Sequence, residues 1–328
     1  CLNNMAASIN EVRNTVLAIA NKNNYGYISP QDFNLYAQQA QMDMFEDYFY
    51  SYNNWIQRQN ARQSGTGYAD IEKGLVEVID SFSTQVFLPQ VNANTFSLPS
   101  DYYLINKLFY YSTPLFNGTI TGLSGTLADP EISDSTQSLV WTNIPSSQTV
   151  PLIGSIIINT TTLQEAYVVG VDAPGTGGIN ISAPIFDSVT TPYVIYSNTH
   201  IREVERVNQS KIFLLTNSML TAPTKTYPAY VLDGNTITVY PTTITNAGAI
   251  RSQYIRYPFS PKWTYVELGL GEPVFNANQP DFQDFELPDS DEPTLIAKIC
   301  QYVGIEIREA DVYNFGKAEE NNDTQETS

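Results

Sequence analysis

The sequence predicts an α+β fold, with an N-terminal helical region, a β-rich core of sandwich or barrel type that carries an inserted β-domain, and a C-terminal helix. Three observations predict it. Residues 1–85 repeat their apolar side chains at helical spacing. From about Phe87 to Tyr265 the pattern alternates instead, and Thr, Val, Ile, Asn, Gly and Pro take over. After Asp289 an apolar stripe at helical spacing returns. The expected organisation is a helical region over 1–85, a β-rich core from 86–112 and 200–265, and an inserted β-domain over 113–199. A docking segment with the last helix over 266–316 and an acidic tail over 317–328 complete it.

Ile9, Val12, Val16 and Ile19 make one stripe and predict the first helix. Phe33, Tyr36, Ala37, Ala40, Met44, Phe45, Tyr48, Phe49, Tyr52 and Ile56 continue such a pattern through roughly seven turns, longer than most globular helices. A helix so long and so aromatic is expected to pack against other chains as well as its own. The break Ser64-Gly65-Thr66-Gly67 is expected to end it, and Ile71, Leu75, Val78 and Ile79 predict a third, shorter helix. Within the alternating region, Val231 to Tyr240 reads as a β-hairpin, because Asp233-Gly234 tolerates the positive φ of a tight primed turn. Residues 113–199 are poor in charge and rich in Thr, Ser and Gly, which predicts a separate small sandwich or barrel. For the last helix, Asp289-Ser290-Asp291-Glu292-Pro293 supplies capping side chains, first-turn carboxylates and an early Pro. Leu295, Ile296, Ile299, Cys300 and Val303 form its stripe, and Gly304 stands at the expected C-cap. From Gly316 onward the chain has no apolar residue beyond one Ala, the composition of a mobile tail.

With 328 residues, of which 42% are hydrophobic, the chain is globular and long enough for two or three domains. Its 22 Tyr, 15 Phe and 3 Trp favour surfaces that are apolar in body and hydrogen-bonding at the rim, as at protein interfaces. The 34 acidic and 16 basic side chains leave a net charge of -18, opposite in sign to a phosphate-neutralising surface, so tight nucleic-acid binding over a broad face is not expected. Asp281 to Ser328 holds 13 acidic and 3 basic residues, which makes that end repelling, solvated or matched to a basic partner. Cys1 and Cys300 imply no disulfide framework, which suits a reducing compartment. No run of about 18 apolar residues suggests a membrane span, and no basic-then-apolar leader is read at the start.

Chemistry-bearing motifs are not found. His200 is the only histidine and lies in a β-like stretch without a nucleophile motif, so multi-His metal sites and a second catalytic His are excluded. Phosphate-loop, dinucleotide, zinc-protease, paired-cysteine and nucleophile-elbow patterns do not occur. Gly175-Thr176-Gly177-Gly178 reads as a hairpin loop, and no carboxylate pair stands in a recognisable context for glycoside hydrolysis. No catalytic residue, no metal and no cofactor is expected, and the chain is expected not to be an enzyme.

The stretch Asn21 to Phe33, NKNNYGYISPQDF, resembles a calcium loop but lacks its ligands. With Asn21 at position 1, Tyr25 falls at position 5 and supplies no oxygen of the right kind, and the one carboxylate is Asp32 at position 12. A helix start accounts for more of it. Ser29 is the N-cap, Pro30 the first helical residue and Asp32 the far member of an S-x-x-D capping box. Ile28 and Phe33 have the spacing of a hydrophobic staple, and Gly26 permits the reversal.

In order along the chain come YGYISPQDFNLYAQQAQMDMFEDYF, FSLPSDYYLINKLFYYS, HIREVERVNQSKI, YPAYVLDGNTITVYP, YIRYPFSPKW and FQDFELPDSDEPTLIAKICQYVGIEIREADV. This series resembles virion structural proteins of tailed bacteriophages, and most closely the ring or adaptor proteins that join portal to tail in crAss-like, podovirus-type phages. The likeness covers most of the chain except about 113–199. It implies a cyclic homo-oligomer of about twelve subunits stacked under the portal, in contact with portal and neighbouring tail ring proteins. DNA and ejected proteins would pass through without tight binding, away from any membrane, in a virion assembled in the host cytoplasm. An acidic wall suits that passage, since a basic wall would hold the polymer.

Tyr48, Phe49, Tyr52 and Trp55 on the long helix are the first candidates for a subunit interface. Arg256, Tyr257, Phe259, Lys262 and Trp263 are the second group, because Pro258 and Pro261 fix an extended backbone that displays the rings. The alternative for that segment is an ordinary loop closing its own β-domain. Arg256 and Lys262 are expected to pair with the acidic C-terminal stretch of the same or a neighbouring subunit. Phe282 and Phe285, with Leu287, form either a docking strand or local packing. A different function class, a surface lipoprotein that binds carbohydrate and is anchored through Cys1, requires a lipobox immediately before that residue.

Overall fold

The computed structural model describes residues 7–20, 28–61, 69–112, 114–124, 138–142, 153–171, 178–188, 190–197, 201–267, 269, 272–306 and 317–318. They combine helices with β-sheets in an α+β fold. The chain forms two compact units, one from residues 1–82 and 257–328, the other from residues 83–256. Gly26, the 64–67 break, residues 175–177 of the glycine-rich loop, His200 and all but two residues of the tail lie outside the described residues.

The chain begins with α1 (Ile9–Ala20), α2 (Pro30–Ala61) and α3 (Ala69–Ser81). It then builds β1 (Ser83–Phe87), β2 (Gln90–Asn92), β3 (Thr95–Ser97) and β4 (Tyr102–Tyr111). Next come β5 (Pro114–Thr119), β6 (Gly122–Ser124), β7 (Ser138–Trp141), β8 (Ile156–Asn159), β9 (Glu165–Val171), β10 (Gly178–Ile181) and β11 (Pro192–Tyr196). After β12 (Ile201–Arg206) a short helix, α4 (Gln209–Thr216), precedes β13 (Ala229–Asp233), β14 (Thr236–Tyr240) and β15 (Ile250–Arg256). The hairpin strands β16 (Tyr265–Glu267) and β17 (Pro273–Phe275) and the helix α5 (Glu292–Glu306) finish the described chain.

In the β unit, eight strands pair in the order β1-β15-β4-β12-β13-β14-β3-β2, and seven pair as β5-β11-β8-β9-β10-β7-β6. Only β12 and β13 run parallel within the larger sheet, because α4 and the turns after it carry the chain back to the same edge. The strands from 114–196 make their own sheet, with a core of their own on one face and a core shared with the larger sheet on the other. Ile156, Ile158, Val194 and Tyr196 point into the same core as Phe87, Leu108, Tyr111 and Ile250 of the larger sheet. Their sequence neighbours Ile157, Tyr193 and Ile195 point the opposite way into a second core with Val168, Ile179 and Phe186. Side chains alternate faces along a strand, so a sheet covered on both sides needs apolar residues at every position. That is why β8 reads Ile-Ile-Ile-Asn with all four residues buried. Arg251 of β15 ties the sheets further, with Nη2 2.7 Å from Glu165 Oε1 of β9 and its guanidinium over the Phe87 ring.

The hairpin expected at Val231 to Tyr240 is β13 and β14, paired from Ala229↔Tyr240 to Asp233↔Thr236. Its two loop residues are Gly234 and Asn235, and φ is positive (+58°) at Gly234 alone, as in a II′ turn with Gly first. Asp233 is thus the last paired residue instead of a turn centre. Two further expectations are corrected. Gly304 is no C-cap: α5 runs on to Glu306, because Ile299, Cys300 and Val303 are packed into the core and hold the last turn against its intrinsic preference. And the region from Phe87 to Tyr265 is not all strand, since α4 interrupts it.

Gly234 and Gly74 have open space where a Cβ would stand, but only Gly234 has positive φ. Gly234→Ala is therefore expected to lower stability by about 1 kcal/mol through backbone strain alone. Gly74→Ala, inside α3, is expected to raise it by about 0.5–1 kcal/mol. Thermal unfolding of the two variants beside the parent checks both signs.

Candidate interface surfaces

The helical unit is held together by side chains that stand in for backbone. At the start of α2, Asp32 N–H donates to Ser29 Oγ at 3.1 Å, and the Ser29 hydroxyl donates to the Asp32 carboxylate. The S-x-x-D box is formed, and Phe33 N–H closes the first turn on Ser29 C=O at 3.0 Å. Ile28 and Phe33 are both buried in the core of this unit, and Pro30 is buried at the first helical position. The first turn of α1 is satisfied from far along the chain: Ile9 N–H donates to Asp284 Oδ1 at 2.8 Å. A carboxylate there also meets the positive end of the helix dipole.

Two turns apart on α2, Asn34 and Gln41 present their amides to the extended stretch after Arg256. Trp263 N–H donates to Asn34 Oδ1 at 2.8 Å, and Asn34 Nδ2 returns a bond to Trp263 C=O at 3.2 Å. Gln41, almost fully buried, donates to Phe259 C=O at 2.8 Å and accepts from Glu286 N–H at 3.0 Å. Glu286 in turn accepts from Phe259 N–H at 2.7 Å. Each amide thereby pairs with backbone as a neighbouring strand would, which lets an irregular segment lie against a helix without orphaned groups.

Trp263 fills the space so defined. It is 2% exposed, stacked with Tyr265 at 5.6 Å and Phe275 at 5.9 Å, with the Arg13 guanidinium 3.9 Å from the ring centroid and its indole N–H donating to Asn10 Oδ1 at 3.1 Å. Removing such a ring from water buries on the order of 200 Å2, worth up to about 5 kcal/mol. The candidates Trp263 and Phe285 are therefore core residues of their own unit and not a face for a neighbour, since both are buried with α1, α2 and α5. The segment closes the helical unit, not the β unit that ends at Arg256.

The other candidates divide. Tyr48 donates to the Asp291 carboxylate, and Phe49 packs edge-on against Phe45 at 5.0 Å. Tyr52 is half-buried, and the Trp55 side chain lies outside the described residues. Tyr257 and Phe259 remain 37% and 51% exposed, displayed by the buried prolines Pro258 and Pro261. Lys262 pairs with Asp281 of the same chain, an exposed contact of small energetic weight. Arg256 is half-buried at the end of β15, and Phe282 packs edge-on against Phe275 at 5.7 Å. Between α2 and α5, the Tyr302 hydroxyl donates to Asp43, Tyr36 stacks on Tyr302 at 6.1 Å, and Lys298 Nζ stands 2.9 Å from Asp47.

Sequence reasoning passed over the most exposed apolar side chains of the β unit, Phe213 and Leu214 of α4 and Met219, Leu220 and Tyr227 after it. A usable signal existed: between Lys211 and Lys225 there is no charge at all, yet the stretch contains Ile-Phe-Leu-Leu and Met-Leu. A shallow groove of about 280 Å3 beside α2 is lined by Gln31, Asn34, Leu35, Gln38 and Ser260 to Lys262, a set without a carboxylate. No group of three or more His, Cys, Asp or Glu able to hold a metal occurs among the described residues, and no helix among them is long and apolar enough to cross a membrane. No protein-family model matches the chain, and comparison with curated proteins finds no match.

Removing the Gln41 amide leaves Phe259 C=O and Glu286 N–H without their partner. Gln41→Ala is expected to cost about 2–4 kcal/mol of unfolding free energy in urea titrations, more than Lys262→Ala at the exposed pair, which should stay within about 0.5 kcal/mol.

Burial pushes the Cys300 thiol up from 9.0 to about 11, and burial followed by the Asp291 bond pushes the Tyr48 hydroxyl above its ordinary range. Both groups ionise more readily unfolded than folded. The Cys300 contribution is complete well below pH 9.0 and is lost as pH rises toward about 11, and the Tyr48 contribution starts to be lost only above pH 10.0. The urea midpoint is expected to fall over that interval, and to fall less in Cys300→Ala; a midpoint that climbs with pH there contradicts the assignment.

Proposed function

We propose that this chain is a non-enzymatic structural subunit of a tailed-phage virion, forming a ring in the connector between portal and tail through which DNA and ejected proteins pass. The observation that carries this reading is where the six resembling segments fall. They coincide with the elements that frame both units: α2 with its cap, β3 and β4, β12 with α4, the β13–β14 hairpin, the end of β15 with the Trp263 segment, and α5. The stretch outside the resemblance supplies the second sheet instead.

Charge supports the same reading. The helical unit holds 24 acidic and 9 basic residues, the β unit 10 and 7, so most of the net negative charge sits on one unit. A surface of that sign releases a passing polyanion instead of retaining it. The exposed Tyr257 and Phe259, held on a backbone locked by Gln41 and Glu286, suit a contact that loses little entropy on forming.

The test is the assembly state of the full chain, by native mass spectrometry and negative-stain electron microscopy. Closed rings of one subunit number with a central opening are expected. A chain that stays monomeric at tens of micromolar overturns the reading.

A further inference from the structure

We propose that the segment from α4 to Tyr227 is a docking arm that seats on the acidic helical unit of a second copy of this chain. In α4 only Ile212 is buried, whereas Phe213 and Leu214 are 71% and 70% exposed. Beyond the helix Met219, Leu220 and Tyr227 are 104%, 97% and 80% exposed. Five such side chains within one short stretch offer roughly 700 Å2 of apolar surface, close to the ~800 Å2 that each partner gives to a standard protein interface. A chain that works alone seldom leaves so many large apolar side chains of one short segment in water.

The arm is held in shape from within. Asn217 Nδ2 donates to Phe213 C=O at 2.9 Å and Thr216 Oγ1 to Ile212 C=O at 3.0 Å, which close the end of α4. Ala222 N–H reaches Ser218 C=O at 3.0 Å, and Thr224 N–H reaches Tyr227 C=O at 3.1 Å. The apolar side chains are therefore presented on ordered backbone, and little ordering remains to oppose binding.

Charge selects the occupant. Between Arg206 and Asp233 the only charged residues are Lys211 and Lys225, whereas the helical unit carries 24 acidic side chains against 9 basic ones. Arm against arm would bring lysine to lysine, so a self-matched twofold contact is disfavoured. Arm against helical unit brings opposite signs together, and that unit also exposes Leu35 (61%) and Phe259 (51%) as apolar ground. The contact is then head-to-tail, the kind that repeats from copy to copy and either closes into a ring or continues as a filament. The inference deepens the ring reading and rests on it only for closure.

The experiment uses the full chain and the double variant Met219→Glu/Leu220→Glu, whose positions are fully exposed, with circular dichroism to verify folding. Light scattering and native mass spectrometry read the assembly, and a photo-crosslinker at position 219 reads the contact. The expected result is at least about 100-fold weaker association in the variant, with parent crosslinks landing in residues 8–82 or 257–306 of another copy. Rings that persist in the variant, or crosslinks that join arm to arm, overturn the arm and leave the ring reading standing. Open filaments or dimers that the variant dissolves uphold the arm and overturn the ring. A parent chain that stays monomeric overturns both, and if it then binds phosphatidylserine vesicles through Met219 and Leu220, the arm is a membrane contact instead.

Discussion

Asn34 and Gln41 are the constraint on which the helical unit depends. The stretch from Tyr257 to Leu287 has little regular structure, so its backbone polar groups lack the partners a helix or sheet would supply. Two amides on one face of α2 supply them at Trp263, Phe259 and Glu286. With the backbone so fixed, Trp263 reaches its stack between Tyr265 and Phe275, Asp284 arrives at the start of α1, and α5 follows directly against α2. Losing one amide therefore loosens the chain at several joints at once, a coupling that a deeper apolar core alone would not produce.

The β unit solves the same problem through ladders. Its seven-stranded sheet is covered on both faces at β8 and β11, so the register there is doubly specified: a slip by one residue would exchange Ile156 and Ile158 with Ile157 between two cores. At Gly248, with φ +69°, a Cβ would already stand in van der Waals contact with Ile158, 3.5 Å from its side chain, which shows how closely the chain approaches the second sheet at that point. Arg251 and Glu165 add a half-buried ion pair whose attraction is less screened than at the surface.

The α+β class was legible because 3.6-residue and two-residue periodicities survive in α1 and β14, where one face is buried and the other is not. The cap of α2 was legible because every partner lies within four residues. Trp263 was not, because the side chains that bond its backbone and indole, Asn34 and Asn10, lie 229 and 253 positions away and nothing local marks them. Its Pro-flanked setting carries the pattern of a displayed ring, and display is what Phe259 does in the same segment. α4 was missed for a converse reason. Its apolar residues are mostly in water, so they follow no buried stripe, and periodicity reports only on burial.

The uneven charge follows from these two ways of building. In the helical unit, carboxylates are acceptors of the long-range ties: Asp284 for Ile9, Glu286 for Phe259, Asp291 for Tyr48 and Asp43 for Tyr302. A protein that fastens irregular backbone and tyrosine hydroxyls with carboxylates gains negative charge wherever it does so. The β unit, fastened mainly by strand pairing, uses fewer such ties, Tyr254 to Asp101 being one, and stays nearly neutral, at 10 acidic to 7 basic residues. Acidity in this chain thus begins as architecture. In the proposed assembly that acidity also takes on a functional consequence, because a unit so charged would repel a polyanion and attract the lysine-bearing apolar arm proposed for the other unit.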